Sequence, residues 1–600
     1  MLPYQNKYHE NTAEIAYIVN ERQRAAEDFD TWYEEQKENS QRLEELKSEN
    51  IKLLNENLFP VLDGLYGESE VTIKSLEEFA DILMDWRTNL DCGVYVVIHD
   101  ALLSLYRYRK DRDGIIKELY KLGMGLYYLR RAVEGVPGPG SRSIAFENEL
   151  VFTEAGSYIR FFDVIEDEET RGYIVRALAN VSLCTNDHKR KIAQSMRALE
   201  IIRDEHFREL APGIPWDVFL KKTHQQMSAN RTELSGADLS KEELAAVLDS
   251  CYEVFKPEEG AVNPSVRWLW PYYEMEYNCG YVDINMTMDR IERLSGNVPY
   301  DHYDVSGLYA NVQLPIYYGR LLKKDVSQRH DPHRITFYES AVKKMLRALF
   351  TCPEDYMDDY FFYLIDLVVS DYYEVEGAPA YYEIIPRLLK RFSGKLYIRS
   401  VRIGTVVREL AQALIDDDEG FFDDIPFIAE ISEPEKKRKT ILEFAEDCGL
   451  YQDFGLLKMN LSRTISTRNL FENEFQMYQL HPISGYEDLR DRRSTERFAD
   501  VAHGHHRWYD GTGGYPESYI RNESPMRQMT DVCAVATEMV MNYDGDIHKS
   551  TEEILKVEGT RFSPLVTACL TDRDLLGRLD EILSDDSKKF YREIYQELKA

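Results

Sequence analysis

From Val71 to about Pro379, apolar residues return every three or four positions and the two-residue alternation of a half-buried strand is scarce, so this stretch can fold only as packed helices. Ile115, Ile116, Leu119, Leu122, Leu126 and Leu129 form one such stripe; Ile174, Leu178, Ile192, Met196, Leu199 and Ile202 continue the pattern. Breakers at Val136-Pro137-Gly138-Pro139-Gly140, at Pro212-Gly213-Ile214-Pro215 and around Gly260 and Pro264 divide it into helices of the length found in repeat arrays, although no fixed period emerges. A helical-repeat-like scaffold and a non-repeating helical domain both fit. Upstream, Asn11 to Asn57 is rich in Glu, Lys, Gln, Arg and Leu and almost free of Gly and Pro, which predicts one long helix. Ile15, Ile18, Ala25, Phe29, Trp32, Leu43, Leu46 and Leu53 fall on a single seam, interrupted by Arg22, Gln36, Asn39 and Asn50. A dimeric coiled coil and an amphipathic helix packed on its own chain are equally compatible with that seam.

Six hundred residues, 44% of them hydrophobic, suffice for several cores. With 106 acidic against 73 basic side chains, the formal charge of -33 disfavours general binding to nucleic acid or anionic membrane, while leaving room for a local basic pocket. Met1 to Asn20 has no basic segment followed by an apolar run, and no uninterrupted apolar stretch is long enough to span a bilayer, so a soluble, intracellular chain is expected. The eight cysteines lie far apart without a Cys-x-x-Cys pair, which argues for buried or half-buried thiols rather than disulfides or structural zinc. The aromatic stretches Trp268 to Tyr273 and Tyr356 to Tyr373 read better as core between helices than as a binding platform. The Gly-rich loop around Pro137 lacks the lysine of a P-loop and reads as a connection.

Chemistry concentrates near the carboxy end. In Gly504-His505-His506-Arg507-Trp508-Tyr509-Asp510-Gly511-Thr512-Gly513-Gly514-Tyr515-Pro516, adjacent histidines at a helix end precede a Gly-dense turn, an arrangement that can aim both imidazoles into one cavity and let backbone approach a ligand. This string resembles the signature of bacterial HD-GYP phosphodiesterase domains, with one additional glycine between Thr512 and Tyr515. Upstream, Glu474-Phe475-Gln476-Met477-Tyr478-Gln479-Leu480-His481-Pro482 with Gly485 is similar to the family's histidine-proline helix, and Tyr451-Gln452-Asp453-Phe454-Gly455 stands where the family carries His-Asp-x-Gly-Lys. Downstream, Gly559-Thr560-Arg561-Phe562-Ser563-Pro564 is similar to its closing Gly-x-x-Phe-Asp-Pro motif. The resemblance covers roughly Gly394 to Leu583 and implies a degenerate HD-GYP-like helical bundle (381–600); with the periodicity upstream the expectation is an all-α fold of a long amino-terminal helix or coiled coil (1–60), a helical middle region, repeat-like or not (61–380), and that bundle.

Departures from the family pattern are as telling as the matches. The resemblance implies a metal-binding His on the opening helix, where Arg399 stands; Gln452 replaces the His of His-Asp, Leu456 the lysine, and Thr537 the Asp of a later helix. Glu538, next to Thr537, could compensate only through a register shift, because adjacent helical residues do not share a face. Asp453, His481, His505 and His506 match the ligands of one of the family's two metals, while the other loses most of its own. Three imidazoles and a carboxylate suit a single divalent ion such as iron, manganese, zinc or nickel, and a vestigial, hydrogen-bonded pocket is the alternative. Arg399 cannot be deprotonated to coordinate a metal and places a fixed positive charge where a cation would lie.

By the same resemblance the ligand is a cyclic dinucleotide such as cyclic di-GMP or another phosphoester, with Arg399, Asp510, Gly511, Gly513, Gly514, Tyr515 and Pro516 lining its pocket. Family catalysis uses two metals to activate the nucleophile and stabilise phosphoryl charge. Three readings stay open: a catalytically impaired regulatory or interaction module, a mononuclear phosphohydrolase in which Asp453 and Arg399 take part, and a helical scaffold with a vestigial site. Bacterial origin, a cytoplasmic address, a signalling role, protein partners or a homodimer through the amino-terminal helices, and no membrane span complete the expectation.

Overall fold

The apolar stripes do become helices. In the computed structural model of the chain, which describes residues 1–600 apart from 22–26, 85–89, 131–138, 186, 230–238, 257–260, 262–265, 297, 299–304, 354–358, 460 and 600, the fold is all-α. The described residues contain no strand, only isolated bridges between Arg507 and Gly514 and between Glu558 and Phe562. Ile116, Leu119, Leu122, Leu126 and Leu129 are all buried along the helix Arg112–Arg130, as a three-to-four-residue stripe requires. Side-chain caps start many of the helices: Asp91, Asp283 and Asp572 each accept from backbone N–H groups of the first turn, and Ser240 and Glu243 form a reciprocal capping box. No helix among the described residues is long and apolar enough to cross a membrane. All eight cysteines are free, six buried and two half-buried.

The single long amino-terminal helix is instead two. Pro3–Glu21 ends before residues 22–26, and Phe29–Leu53 begins afresh where Asp28 caps the Thr31 N–H. The seam then closes on itself: Ile15 and Ile18 meet Leu43 and Leu46, Asn11 bonds Asn50, and Arg42 pairs with Glu14, so the two helices run antiparallel. Polar residues that interrupted the seam have work in this hairpin, since Asn50 is fully buried and donates to the Thr467 carbonyl. Ala25 and Arg22 lie outside the described residues, as do the breakers Val136 to Gly138, Gly260 and Pro264.

The largest apolar core extends from Trp32 through the helices Val305–Lys324 and Pro332–Phe350 to Ile594, and takes in residues on both sides of position 380. Trp270, Tyr272, Tyr273, Phe361 and Tyr372 are buried inside it, so the described parts of both aromatic stretches are core; Tyr356 is outside the described residues. A second core packs the Arg112–Arg130 helix against Met459, Leu461, Met477 and Leu480, the segment that leads to His481. Beyond residue 393, the helices Gly394–Asp417, Pro434–Tyr451, Glu496–Gly504 and Arg527–Asn542 pack around one another, and the candidate site lies at their ends.

Candidate metal centre

Two close backbone approaches build the site. A Cβ on Gly449 would sit 2.4 Å from the Gly404 backbone, and one on Gly404 would sit 2.5 Å from the Glu446 carbonyl oxygen, so these paired glycines let the helices Gly394–Asp417 and Pro434–Tyr451 touch main chain to main chain. That contact brings Arg399, five residues before Gly404, over Asp453, four residues after Gly449. A Cβ on Gly455 would meet the His481 carbonyl oxygen at 2.1 Å, so only glycine allows the Asp453 turn to seat against the start of the helix His481–Arg490. Pro482 occupies the first turn of that helix, where its missing N–H costs nothing. His505 caps the helix Glu496–Gly504, and the chain then doubles back: Trp508 N–H donates to Gly513 O and Tyr515 N–H to His506 O. Gly514 has a φ of 72°, and a Cβ there would strike the His506 carbonyl, which explains why the loop accommodates a glycine at this position.

Asp453, His481, His505 and His506 offer four ligand atoms that all lie within 4.8 Å of one another. His481 Nδ1 lies 2.8 Å from the Tyr478 carbonyl oxygen and His505 Nδ1 lies 2.9 Å from that of Ala502. A carbonyl can only accept, so both Nδ1 atoms carry a proton, and in the neutral ring each Nε2 turns its lone pair to the site. Those Nε2 atoms are 3.2 Å apart and stand 3.3 Å (His481) and 3.2 Å (His505) from Asp453 Oδ1. The two Nε2 atoms and Asp453 Oδ1 thus converge on one point, which a shared proton or a cation at their centre would fill. Ligand atoms about 2.0–2.1 Å from a shared ion are separated by about 3.3–3.4 Å in tetrahedral and about 2.8–3.0 Å in octahedral geometry, and these three spacings lie nearer the tetrahedral value. His506 Nε2 is buried without a hydrogen-bond partner and supplies the fourth donor.

The charge state suits coordination. Burial works against ionisation of Asp453, but the Arg399 guanidinium, joined by hydrogen bonds from His481 and His505 when a proton bridges them, outweighs it and holds the carboxyl well below its ordinary range. Burial pushes His481 down and His506 well down, the latter helped by His505, so both imidazoles are neutral at pH 7. A buried Asp/His3 cluster of this kind can hold a metal ion.

Its other side is closed to one. Arg399 Nη2 lies 3.0 Å from Asp453 Oδ2, so the carboxylate gives one oxygen to the imidazoles and the other to a fixed positive charge. Gln452 Nε2 donates to Thr537 Oγ1 at 2.6 Å, and Thr537 Oγ1 donates in turn to the Cys533 carbonyl at 2.8 Å. This amide-hydroxyl pair brings no anionic donor to the site. Glu538 does not replace it: one residue further round the helix, its carboxylate is engaged by Arg561, and Thr537 is the residue that faces Gln452.

No protein-family model, curated protein or solved structure matches this chain. The site is therefore described by its own geometry. The Tyr515 ring packs against His506 with centroids 4.7 Å apart, and Pro516 is buried beneath the loop. Asp510 and Gly511 stand exposed at the loop tip, where the Asp510 carboxylate caps Thr512, while Gly513 packs against the Trp508 ring. Two contributors carry no strong local signal in the sequence. Tyr478 stands beside Arg399 and positions His481 through its carbonyl. Arg507 donates to the Gly511 and Gly514 carbonyls and braces the loop from within.

Proposed function

We propose that the chain is an HD-GYP-like regulatory or interaction protein whose site holds one divalent transition metal and has lost most or all catalysis. The observation that carries this reading is the asymmetry around Asp453. Three convergent acceptors and the unpartnered His506 Nε2 lie on one side, while an arginine and a Gln452-Thr537 pair occupy the other. Asp453, His481, His505 and His506 would hold an iron, manganese, zinc or nickel ion, which supplies Lewis-acid stabilisation of a phosphoester oxygen. The half-buried Arg399 adds a second positive charge, and Tyr515 with the Asp510 to Pro516 loop forms the wall against which a cyclic dinucleotide or related phosphoester would lie.

A mononuclear phosphohydrolase is the second reading. It is favoured by the position of Arg399, whose guanidinium can neutralise developing phosphoryl charge within reach of the metal-binding face. The test is metal content by mass spectrometry on anaerobically purified protein, native and His505→Ala/His506→Ala, with cyclic di-GMP hydrolysis measured on both. About one metal per chain, lost in the double variant, with no turnover supports the regulatory reading. Turnover that disappears with the metal supports the enzyme, and absence of metal from the native protein refutes both.

A further inference from the structure

The hairpin that carries His506 also carries an exposed tryptophan. Trp32, Trp216 and Trp270 are buried, whereas Trp508 keeps 37% of its surface in solvent. Arg507 bridges Gly514 in antiparallel fashion, with the Trp508 N–H donating to Gly513 O at 3.1 Å and the Tyr515 N–H to His506 O at 3.2 Å. Side chains alternate along such a pair, so His506 and Trp508 stand on one face and Arg507 on the other. Two residues span about 7 Å along an extended strand, so the indole lies one side chain outward from a metal-facing imidazole. Exposure rises in the same direction: His506 Nε2 is buried, Tyr515 is half-buried against the His506 ring, and Trp508 is exposed.

The indole is held flat. A Cβ on Gly513 would sit 2.5, 2.6 and 2.7 Å from Trp508 Cε3, Cδ2 and Cζ3, near-equal distances that place it over the ring and not at its edge. One on Gly514 would sit 2.7 Å from Cδ1. The glycine pair is therefore a bed for one indole face, and among the described residues no other ring and no cation stacks on Trp508. One of these two glycines is the residue by which the loop exceeds the motif it resembles, and the ring resting on the pair gives it a use. An aromatic ring fixed in advance loses little freedom on binding, and a flat partner covers its face in one contact. We infer that Trp508 is a stacking platform that sets the ligand preference of the metal centre. The ligand is a phosphoester whose charged group meets Arg399 and the metal-facing residues, and whose flat heteroaromatic ring, as in a nucleoside monophosphate, lies on the indole. The inference rests on the single-metal reading above and adds to it which body the phosphoester carries. One sugar unit bridges the step from phosphate to ring, and stacking of this kind discriminates by shape without hydrogen-bond readout.

The test is titration of the full, anaerobically purified chain with adenosine 5′-monophosphate and, separately, with ribose 5-phosphate. Binding is followed by tryptophan fluorescence and by calorimetry, and metal content is measured on the same samples. Adenosine monophosphate should quench the fluorescence and bind about tenfold or more tighter than ribose 5-phosphate, a ratio within what one stacked base contributes. Trp508→Leu should abolish the quenching and bring adenosine monophosphate down to the affinity of ribose 5-phosphate, while still holding about one metal per chain. Gly513→Ala, whose methyl would strike the indole, should weaken adenosine monophosphate in the same direction, and it decides the matter if Trp508→Leu fails to fold. Equal affinity of the two compounds, or binding of neither, on a metal-bearing native chain would overturn the platform and leave the single-metal reading standing; so would native affinity for adenosine monophosphate in the variants. A native chain without metal would remove that reading and this inference together.

Discussion

On the proposed single-metal reading, Gln452 and Thr537 stand where a second cation would need its ligands. Gln452 Nε2 is held by Thr537 while Gln452 Oε1 is buried without a partner, so neither side chain brings an anionic donor, whereas His and Asp at the same points, with His in place of Arg399, would restore carboxylate and imidazole ligands. Combining Arg399→His, Gln452→His and Thr537→Asp is expected to raise bound metal from about one to about two per chain by mass spectrometry; a ratio that stays at one would show that backbone geometry, not side-chain identity, closes the second position. A different residue makes a pH prediction. Asp447 is held mostly by burial at a pKa of about 6, against 3.8 for the free group, despite hydrogen bonds from Tyr382 and the nearby Arg497. Its folded pKa is raised, so its contribution is present in full below pH 3.8 and is lost as pH rises through 6. Asp447→Asn should therefore stabilise the protein by about 1 kcal/mol at pH 8 and by almost nothing near pH 3.8, read from urea midpoints across that window. That Asp453, His481, His505 and His506 come together was legible through the resemblance of several ordered short motifs to a known family, none of which says so alone. Whether Thr537 or Glu538 faces Gln452 could not be read from the sequence, since it turns on the register of one helix. Nor could the role of Tyr478 be read, whose carbonyl acts across a turn that no local pattern announces.

At the scale of elements, the site depends on two helices brought together by glycine. Gly449→Ala should cost about 2 kcal/mol, since the added methyl would drive the Gly404 backbone away and carry Arg399 off Asp453. Gly577→Ala is the control: that glycine is on the helix Arg573–Ser584 with nothing within 4 Å of its would-be Cβ, so alanine should stabilise by about 0.5–1 kcal/mol. Equal effects of the two substitutions on denaturation midpoints would show that the close approach is not what holds these helices. Helix type was readable from apolar spacing throughout, because burial of one face dominates helix choice in a chain of this composition. Interruption of the amino-terminal helix was harder to see: residues 11–57 contain neither Gly nor Pro, and the restart rests on one Asp28 cap amid many other acids. The pairing of Gly404 with Gly449 was equally hidden, because close contact between helices is a property of two distant positions jointly.

Across the whole molecule, three distant segments meet at Arg468. Its buried guanidinium bonds both oxygens of Asp91, at 2.7 and 2.9 Å, and both of Glu474, at 2.7 and 2.8 Å, while Tyr8 donates to Asp91 at 2.7 Å. Glu474 belongs to the helix Glu472–Tyr478 that leads into His481, so this node joins the amino-terminal hairpin to the approach of the metal centre. Arg468→Ala would strand two buried carboxylates and should cost about 3–5 kcal/mol in urea denaturation; a loss under about 1 kcal/mol would mean that water reaches the node. Sequence patterning could not have located it, since its members are far apart in the chain and each has an ordinary local setting.

The amino-terminal hairpin also grips the last helix. Phe29 and Trp32 pack on Tyr595, and the Tyr33 hydroxyl reaches the Asp586 carbonyl 553 residues away. On a ribosome adding about 5–20 residues per second, those first aromatic side chains would wait roughly half a minute to two minutes before their partners are made. During that interval Trp32 and Tyr33 are exposed apolar surface on a nascent chain, and this closure waits until the helix Lys588–Lys599 has been made.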